Sequence, residues 1–288
     1  MELLIVLGRL AFSAFANVFQ KTLAHHGLPP LFIVFSSYLV LAALSLPLLS
    51  LIHPLSLNSA FWLNILLAAG LDMAGTLFLV MSLSQTDLSV FGPLNAYKVV
   101  ISMLLAMVFL GEIPSVQGFI GVAIIVAGSY ALFPPASHQG RLLSLFAQKG
   151  VQYRFLSIVL FSIGTLPLKT AVSAGGSLAA TLFWCLFGLP LAALVQALFM
   201  RQNGQSVHHI TGQERRYILY LGCLIWLMQY MTMLVFEQLF IAYSLALFQL
   251  SMVLQVFLGY RIFREKHIAR RLIACLIMMV GSLLVLNA

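Results

Sequence analysis

Short polar breaks divide this chain into ten apolar stretches of about 20 residues each, and that division leaves few folds open. The stretches run over 2–23, 29–52, 59–82, 88–110, 114–133, 153–173, 178–200, 216–237, 241–262 and 268–287. Hydrocarbon offers a backbone N–H or C=O no water, so a spanning segment must be a helix or part of a closed barrel. Barrel strands alternate polar and apolar residues, whereas these runs are continuous Leu, Ile, Val, Ala and Phe. Composition agrees. Hydrophobic residues make up 62% and charged residues 8%, with a mean hydropathy of +1.05; a soluble domain is roughly half apolar and a quarter charged. The expected fold is an all-α membrane protein of ten transmembrane helices, with no soluble domain. Met1-Glu2 is not a basic leader and no small-residue cleavage site follows, so no cleaved signal is expected.

The breaks include His25-His26-Gly27, His53-Pro54, Gly111-Glu112-Ile113-Pro114, Gly175-Gly176 and Arg264-Glu265-Lys266-His267. The longest polar interval, Pro134 to Arg154, falls at the midpoint. It separates a first five-helix repeat (1–133) and a connecting loop (134–152) from a second five-helix repeat (153–288). A weak internal repeat supports the division: Lys21-Thr22 closes the first helix and Lys169-Thr170 the sixth. A shift of 153 positions carries Glu112 onto Glu265 and Gly128 onto Gly281. Five is odd, so the second half must enter with opposite orientation. Inverted repeats of this kind place a solute site between their halves.

The net charge is +8. The flanks of the runs hold Lys21; Arg141, Lys149 and Arg154; Arg201, Arg215 and Arg216; and Arg261, Arg264, Lys266, Arg270 and Arg271. These twelve stand on one side against Lys169 on the other. The positive-inside rule puts the twelve in the cytoplasm and both termini outside, in a multi-pass protein of the cell inner (plasma) membrane. Basic flanks suit anionic headgroups, and no nucleic-acid partner is expected. Cys185, Cys223 and Cys275 lie in apolar runs and read as buried small hydrophobes. The loop pairs His25-His26 and His208-His209 suit no metal, and Glu112 and Glu265 at helix ends read as capping or loop structure rather than catalytic groups. No cofactor is expected.

The polar residues inside the spans bear on function. Asp72 and Lys98 lie deep in theirs, and each costs roughly 2.5–3.5 kcal/mol at a bilayer centre. Such groups face a bundle interior or a wet cavity. Helical spacing gathers Arg9, Ser13, Ala16, Asn17 and Gln20 on one face of the first helix, and Asn95, Lys98 and Ser102 on one face of the fourth. Ser244, Ser251 and Gln255 share a face of the ninth with Gln249 beside them, and the eighth offers Gln229 and Tyr230. The candidate substrate-binding residues are therefore Lys98, Asp72, Asn95, Asn17, Gln229, Gln249 and Arg9. Lys98 would hold a carboxylate or phosphate, with Asp72 as its counter-ion in the empty cavity. Substrate would displace that pairing and free Asp72 to take up a proton. The competing reading is a structural pair, or pairing with Arg9, that fixes helix register. Pro167 is expected to interrupt helix 6, Pro93 to break the start of helix 4 and Pro190 to kink helix 7. Gly75, Gly188 and Gly222 should permit close helix contact.

Gly111-Glu112-Ile113-Pro114, followed by Gly118, Gly121 and Gly128, has a degenerate second copy in Arg264, Glu265, Ala274 and Gly281. With Lys21 ending helix 1, these residues make the chain similar to the drug/metabolite transporter superfamily, in its EamA-type ten-helix branch. The resemblance implies a central cavity among helices 1–4 and 6–9, with helices 5 and 10 outside. Lysines on helix 4 also occur in the superfamily's phosphate-recognising carriers, which favours an anionic or zwitterionic metabolite. Sugar-nucleotide carriers of the superfamily hold both termini in the cytosol, the reverse of the charge reading here.

The expected function is secondary transport of a small polar, anionic or zwitterionic metabolite by alternating access, with protons as a coupling partner. A phosphate-containing metabolite exchanger is the alternative, ahead of a non-transporting receptor or scaffold. An enzyme is disfavoured, because Glu2, Asp72, Asp87, Glu112, Glu214, Glu237 and Glu265 are scattered singly with no nucleophile motif. No P-loop is present to couple ATP directly. The chain is expected to work as a monomer or weak homodimer among membrane lipids.

Overall fold

The computed structural model describes residues 2–110, 115–130, 132, 147–203, 210–238 and 241–286. The Gly111–Pro114 motif with Glu112, most of the connecting loop, and His208-His209 lie outside the described residues. All regular structure among the described residues is helical. The first half comprises α1 (Glu2–His25), α2 (Pro30–Ser45), α3 (Ser59–Leu83), α4 (Leu88–Phe91), α5 (Tyr97–Leu110) and α6 (Val116–Tyr130). The second comprises α7 (Lys149–Asn203), α8 (Gly212–Gln238), α9 (Ile241–Gln249), α10 (Ser251–Phe263) and α11 (Ile268–Leu286).

Six helical stretches are long and apolar enough to cross a membrane: Pro30–Leu51, Ser59–Leu83, Leu88–Leu105, Lys149–Arg201, Gly212–Gln238 and Ile268–Leu286. Val116–Ser129 and Leu247–Phe263 are apolar but shorter. The long α7 is two helices, 149–175 and 177–203, joined at Gly176 with φ 79° and ψ 165°. Glycine takes that conformation because it has no Cβ to clash. The expected interruption at Pro167 does not occur, since Pro167 and Pro190 lie inside helical backbone and Gly176 is the non-helical residue of the run. Packed neighbours in a bundle absorb the carbonyl a proline frees. The helix also starts at Lys149, inside the stretch expected to be connecting loop.

Local chemistry sets several helix starts. Asn58 accepts from the Phe61 N–H at 2.8 Å, and Pro30 opens α2, where a missing N–H costs nothing. Thr211 and Glu214 form a reciprocal capping box: Glu214 accepts from the Thr211 N–H at 2.8 Å, and Thr211 Oγ1 accepts from the Glu214 N–H at 3.3 Å.

Apolar helices gain little from apolar contact in lipid, so close approach through small residues decides their packing. α3 lies along both arms of α7, and α1 lies along α8. A Cβ on Gly75 would meet the Phe161 ring, on Gly188 the Tyr38 ring and on Gly222 the Val40 side chain, as the close contacts expected of these glycines require. α6 and α11 pack on each other, with Phe119, Ile120, Ile273 and Val280 exposed on their outer faces. A Cβ on Gly121 would come within 2.7 Å of the Gly281 carbonyl oxygen, and one on Gly281 within 2.7 Å of the Gly121 oxygen.

Two helical runs lose regular α-helical hydrogen bonding beside the cavity while Gly92, Tyr97 and Leu250 keep right-handed helical backbone. α4 gives way at Gly92-Pro93 to a 3-10 turn, Pro93–Ala96, before α5 resumes. α9 and α10 meet at Leu250. The first break presents Asn95 and Lys98 to the interior, and the second presents Gln249 and Ser251.

Candidate functional site: a cation-lined cavity

A central cavity of about 180 Å³ opens between these helices. All seven expected residues line it: Arg9 and Asn17 from α1, Asp72 from α3, Asn95 and Lys98 from the first broken helix, Gln229 from α8 and Gln249 from α9. Ser13, Gln20, Ser251 and Gln255 line it too. Ser102, Ser244 and Tyr230 do not, and Tyr230 instead stacks on Trp226 with ring centroids 5.6 Å apart.

Asp72 accepts a hydrogen bond from the Trp184 indole N–H at 3.0 Å. Gly164 leaves room beside it, since a Cβ there would lie 3.0 Å from Asp72 Oδ1. The direct Asp72–Lys98 contact expected of a counter-ion pair does not form among the described residues. The two attract each other through space, while Arg9 and Arg154 repel Lys98. With the indole holding one carboxylate oxygen, the ammonium is left facing the cavity.

Neither charge pairs with Arg9. The Arg9 guanidinium lies over the Phe248 ring, 3.6 Å from its centroid, and Nε donates to Thr232 Oγ1 at 3.3 Å. Arg154 is held in the same manner. It sits 3.9 Å from the Phe91 centroid and donates to Asn95 Oδ1 at 3.1 Å. Arg154 is 4% exposed and lines the cavity, which corrects its expected place among the cytoplasmic flank charges. Because the helix starts at Lys149, Arg154 lies a full turn inside it. Arg154, Ile158, Phe161, Thr165 and Leu168 all line the cavity at helical spacing. That stripe was the available signal for Arg154; Trp184, between Phe183 and Cys185, carried none.

Lys21 and Arg271, also counted as flank charges, are 3% and 6% exposed. They converge on Glu265. Lys21 bonds it at 3.1 Å and the Thr86 carbonyl at 2.7 Å. Glu265 also accepts from the Leu88 and Ser89 N–H groups at 2.7 and 2.9 Å, so it caps α4 from a distant loop. Arg271 bridges Glu265 at 3.4 Å and Asp87 at 2.6 Å. Lys21 and Arg271 stay at the level of the breaks that hold Thr86, Asp87 and Glu265, so taking Arg154 alone from the twelve leaves eleven flank charges.

The neutral wall is only partly satisfied. Asn17 donates to Gln255 at 3.1 Å, and Gln255 to Ser251 at 3.4 Å. Gln229 Nε2, Gln249 Oε1 and Arg154 Nε are buried with no protein partner among the described residues. Buried polar atoms of this kind call for water or solute. The described lining thus sets three cations against one carboxylate, with spare donors and acceptors around them.

A solved structure described as "Crystal structure of protein" superposes with a TM-score of 0.66 at 15% identity, covering 98% of this chain and 94% of that one. At that identity the likeness is one of fold alone. No curated protein matches the sequence. Residues 1–133 of this multi-pass membrane chain match the EamA-like transporter family.

Proposed function

We propose that the protein is a secondary transporter that carries a small anionic or zwitterionic metabolite through the central cavity by alternating access. The observation that carries this reading is the cavity lining: Arg9, Lys98 and Arg154 oppose only Asp72 among the described residues. An excess of buried cations is costly in low dielectric unless an anion joins them, and that attraction is strong for the same reason.

Ten crossing segments in two inverted halves, 1–133 and 153–288, complete the proposal. Reciprocal contacts support it. Under the 153-position shift the Gly121–Gly281 contact maps onto Ala274–Gly128, and a Cβ on Gly128 would lie 3.3 Å from the Ala274 carbonyl oxygen. A two-fold relation makes contacts pair in this way. Lys21 and Lys169 likewise each donate to a backbone carbonyl, of Thr86 and Phe236 respectively.

Asp72 is the proposed proton site, because it is the one carboxylate of the described lining and Lys98 is not in contact with it. The test is uptake by proteoliposomes under an imposed proton gradient. Wild type is expected to accumulate a solute and Lys98→Ala to fail. Asp72→Asn is expected to lose gradient-driven accumulation while retaining exchange. Unchanged, gradient-driven uptake by Asp72→Asn would remove proton coupling through this group.

A further inference from the structure

Arg9 and Arg154 are held alike, yet they sit at different depths. Each rests on a phenyl ring and one neutral oxygen, and neither has an ion pair among the described residues. Thr86 marks a common level for their two helices. Lys21 of α1 bonds the Thr86 carbonyl at 2.7 Å, and a Cβ on Gly150 of α7 would meet Thr86 Oγ1. Arg154 follows Gly150 by four residues, and Arg9 precedes Lys21 by twelve. At 1.5 Å per residue Arg154 lies roughly 6 Å from the Thr86 level and Arg9 roughly 18 Å, a separation of about 12 Å along the bundle. Lys98 feels both arginines and Asp72.

We propose that the cavity takes an organic dianion and that Arg154 and Arg9 are its successive anchors, one serving each face, with Lys98 shared between them. The inference rests on the transport reading and deepens it. Three cations and one carboxylate leave the described lining two positive charges in excess, which a dianion neutralises and a zwitterion does not. A guanidinium on a phenyl ring is desolvated and oriented without a competing carboxylate. An arriving oxyanion can therefore recruit its N–H fork without first breaking a salt bridge. Dicarboxylates and phosphate monoesters share this chemistry.

The experiment is thermal unfolding of the purified protein with a panel of dicarboxylates of three to five carbons and small phosphate monoesters. Their monoamides, parent alcohols and the zwitterion glycine serve as controls. Entry kinetics in orientation-sorted proteoliposomes then follow with whichever probe protects best. Protection by dicarboxylates or by phosphate monoesters alone identifies the source of the dianion, and either supports the proposal. Arg154→Gln is expected to raise KM at least tenfold for entry from the Thr86 face, with little effect from the other face. Arg9→Gln is expected to do the reverse, and Arg→Lys at each position to restore part of the loss. A misfolded variant lowers transport from both faces, so this asymmetry is not a folding effect. The proposal is overturned if no dianion protects, if the controls protect equally, or if both variants change both faces alike. Uptake of a neutral or zwitterionic solute with both arginines silent would sink it and leave the carrier reading standing. Failure of every solute to bind or exchange would sink both.

Discussion

Lys98 faces a cavity that already holds Arg9 and Arg154, and its nearest opposite charge is engaged by an indole. In ligand-free protein the buried Lys98 ammonium thus has burial and two like charges set against the through-space attraction of Asp72. Lys98→Met keeps the length of the side chain and removes the charge. It is expected to stabilise the solute-free protein by on the order of 1 kcal/mol while abolishing solute binding, the trade often seen at functional sites. Thermal unfolding with and without solute reads both effects. Trp184→Phe has the opposite sign. It takes the donor from Asp72 and is expected to destabilise by about 1–3 kcal/mol, the usual cost of a stranded buried acceptor. The residues of the lining were legible where a polar side chain stands on an apolar helical face, as Asn17, Asp72 and Lys98 do. Arg154 was legible only through its helical spacing with Ile158, Phe161, Thr165 and Leu168, because an arginine among loop charges and one on the first inner turn of a helix otherwise look the same. Trp184 was not, because an indole in an apolar run gives no sign that its N–H meets a carboxylate.

At the scale of elements, Glu265 joins three segments that are remote in sequence. It receives Lys21 of α1, caps α4 through Leu88 and Ser89, and meets Arg271 of α11. Removing one member of a buried ionic group leaves the others uncompensated, so Glu265→Ala is expected to destabilise by roughly 3–5 kcal/mol. The double variant Lys21→Ala with Glu265→Ala should lose less than the sum of the single changes, and a double-mutant cycle of chemical denaturation measures the difference. Gly281→Val places side chain where the Gly121 carbonyl lies and should pry α11 from α6, costing about 1–3 kcal/mol by overpacking. Its readout is the unfolding midpoint in detergent, with Ala288→Val, outside the described residues, as a control for added bulk. Element boundaries were readable at Gly92-Pro93 and Gly175-Gly176, where backbone chemistry changes. Pro167 misled because a proline's effect depends on what its neighbours offer the freed carbonyl, which only packing decides. The place of Glu265 at a helix end allowed a capping or a loop role; that it caps α4 was not readable.

For the whole molecule, the apolar stretches gave the all-helical membrane class directly, since hydrocarbon leaves few other ways to satisfy a backbone. The charge count was less secure. Arg154, counted among the twelve, lies on the cavity wall inside a helix, so sidedness rests on eleven. The internal repeat was faint as identities, and the proposed two-fold relation rests on contacts such as Gly121 against Gly281 and Gly128 against Ala274. The account depends on one physical claim, that Lys98 lies in a watered passage which opens to each face in turn. Lys98→Cys, in a background with Cys185, Cys223 and Cys275 replaced by alanine, tests it with a charged, membrane-impermeant thiol reagent applied to one side of sealed vesicles at a time. The account predicts labelling from both sides, with the passage permeable to the reagent's anionic form. A cysteine at position 98 that stays unlabelled from either side, in protein that still folds, would contradict it.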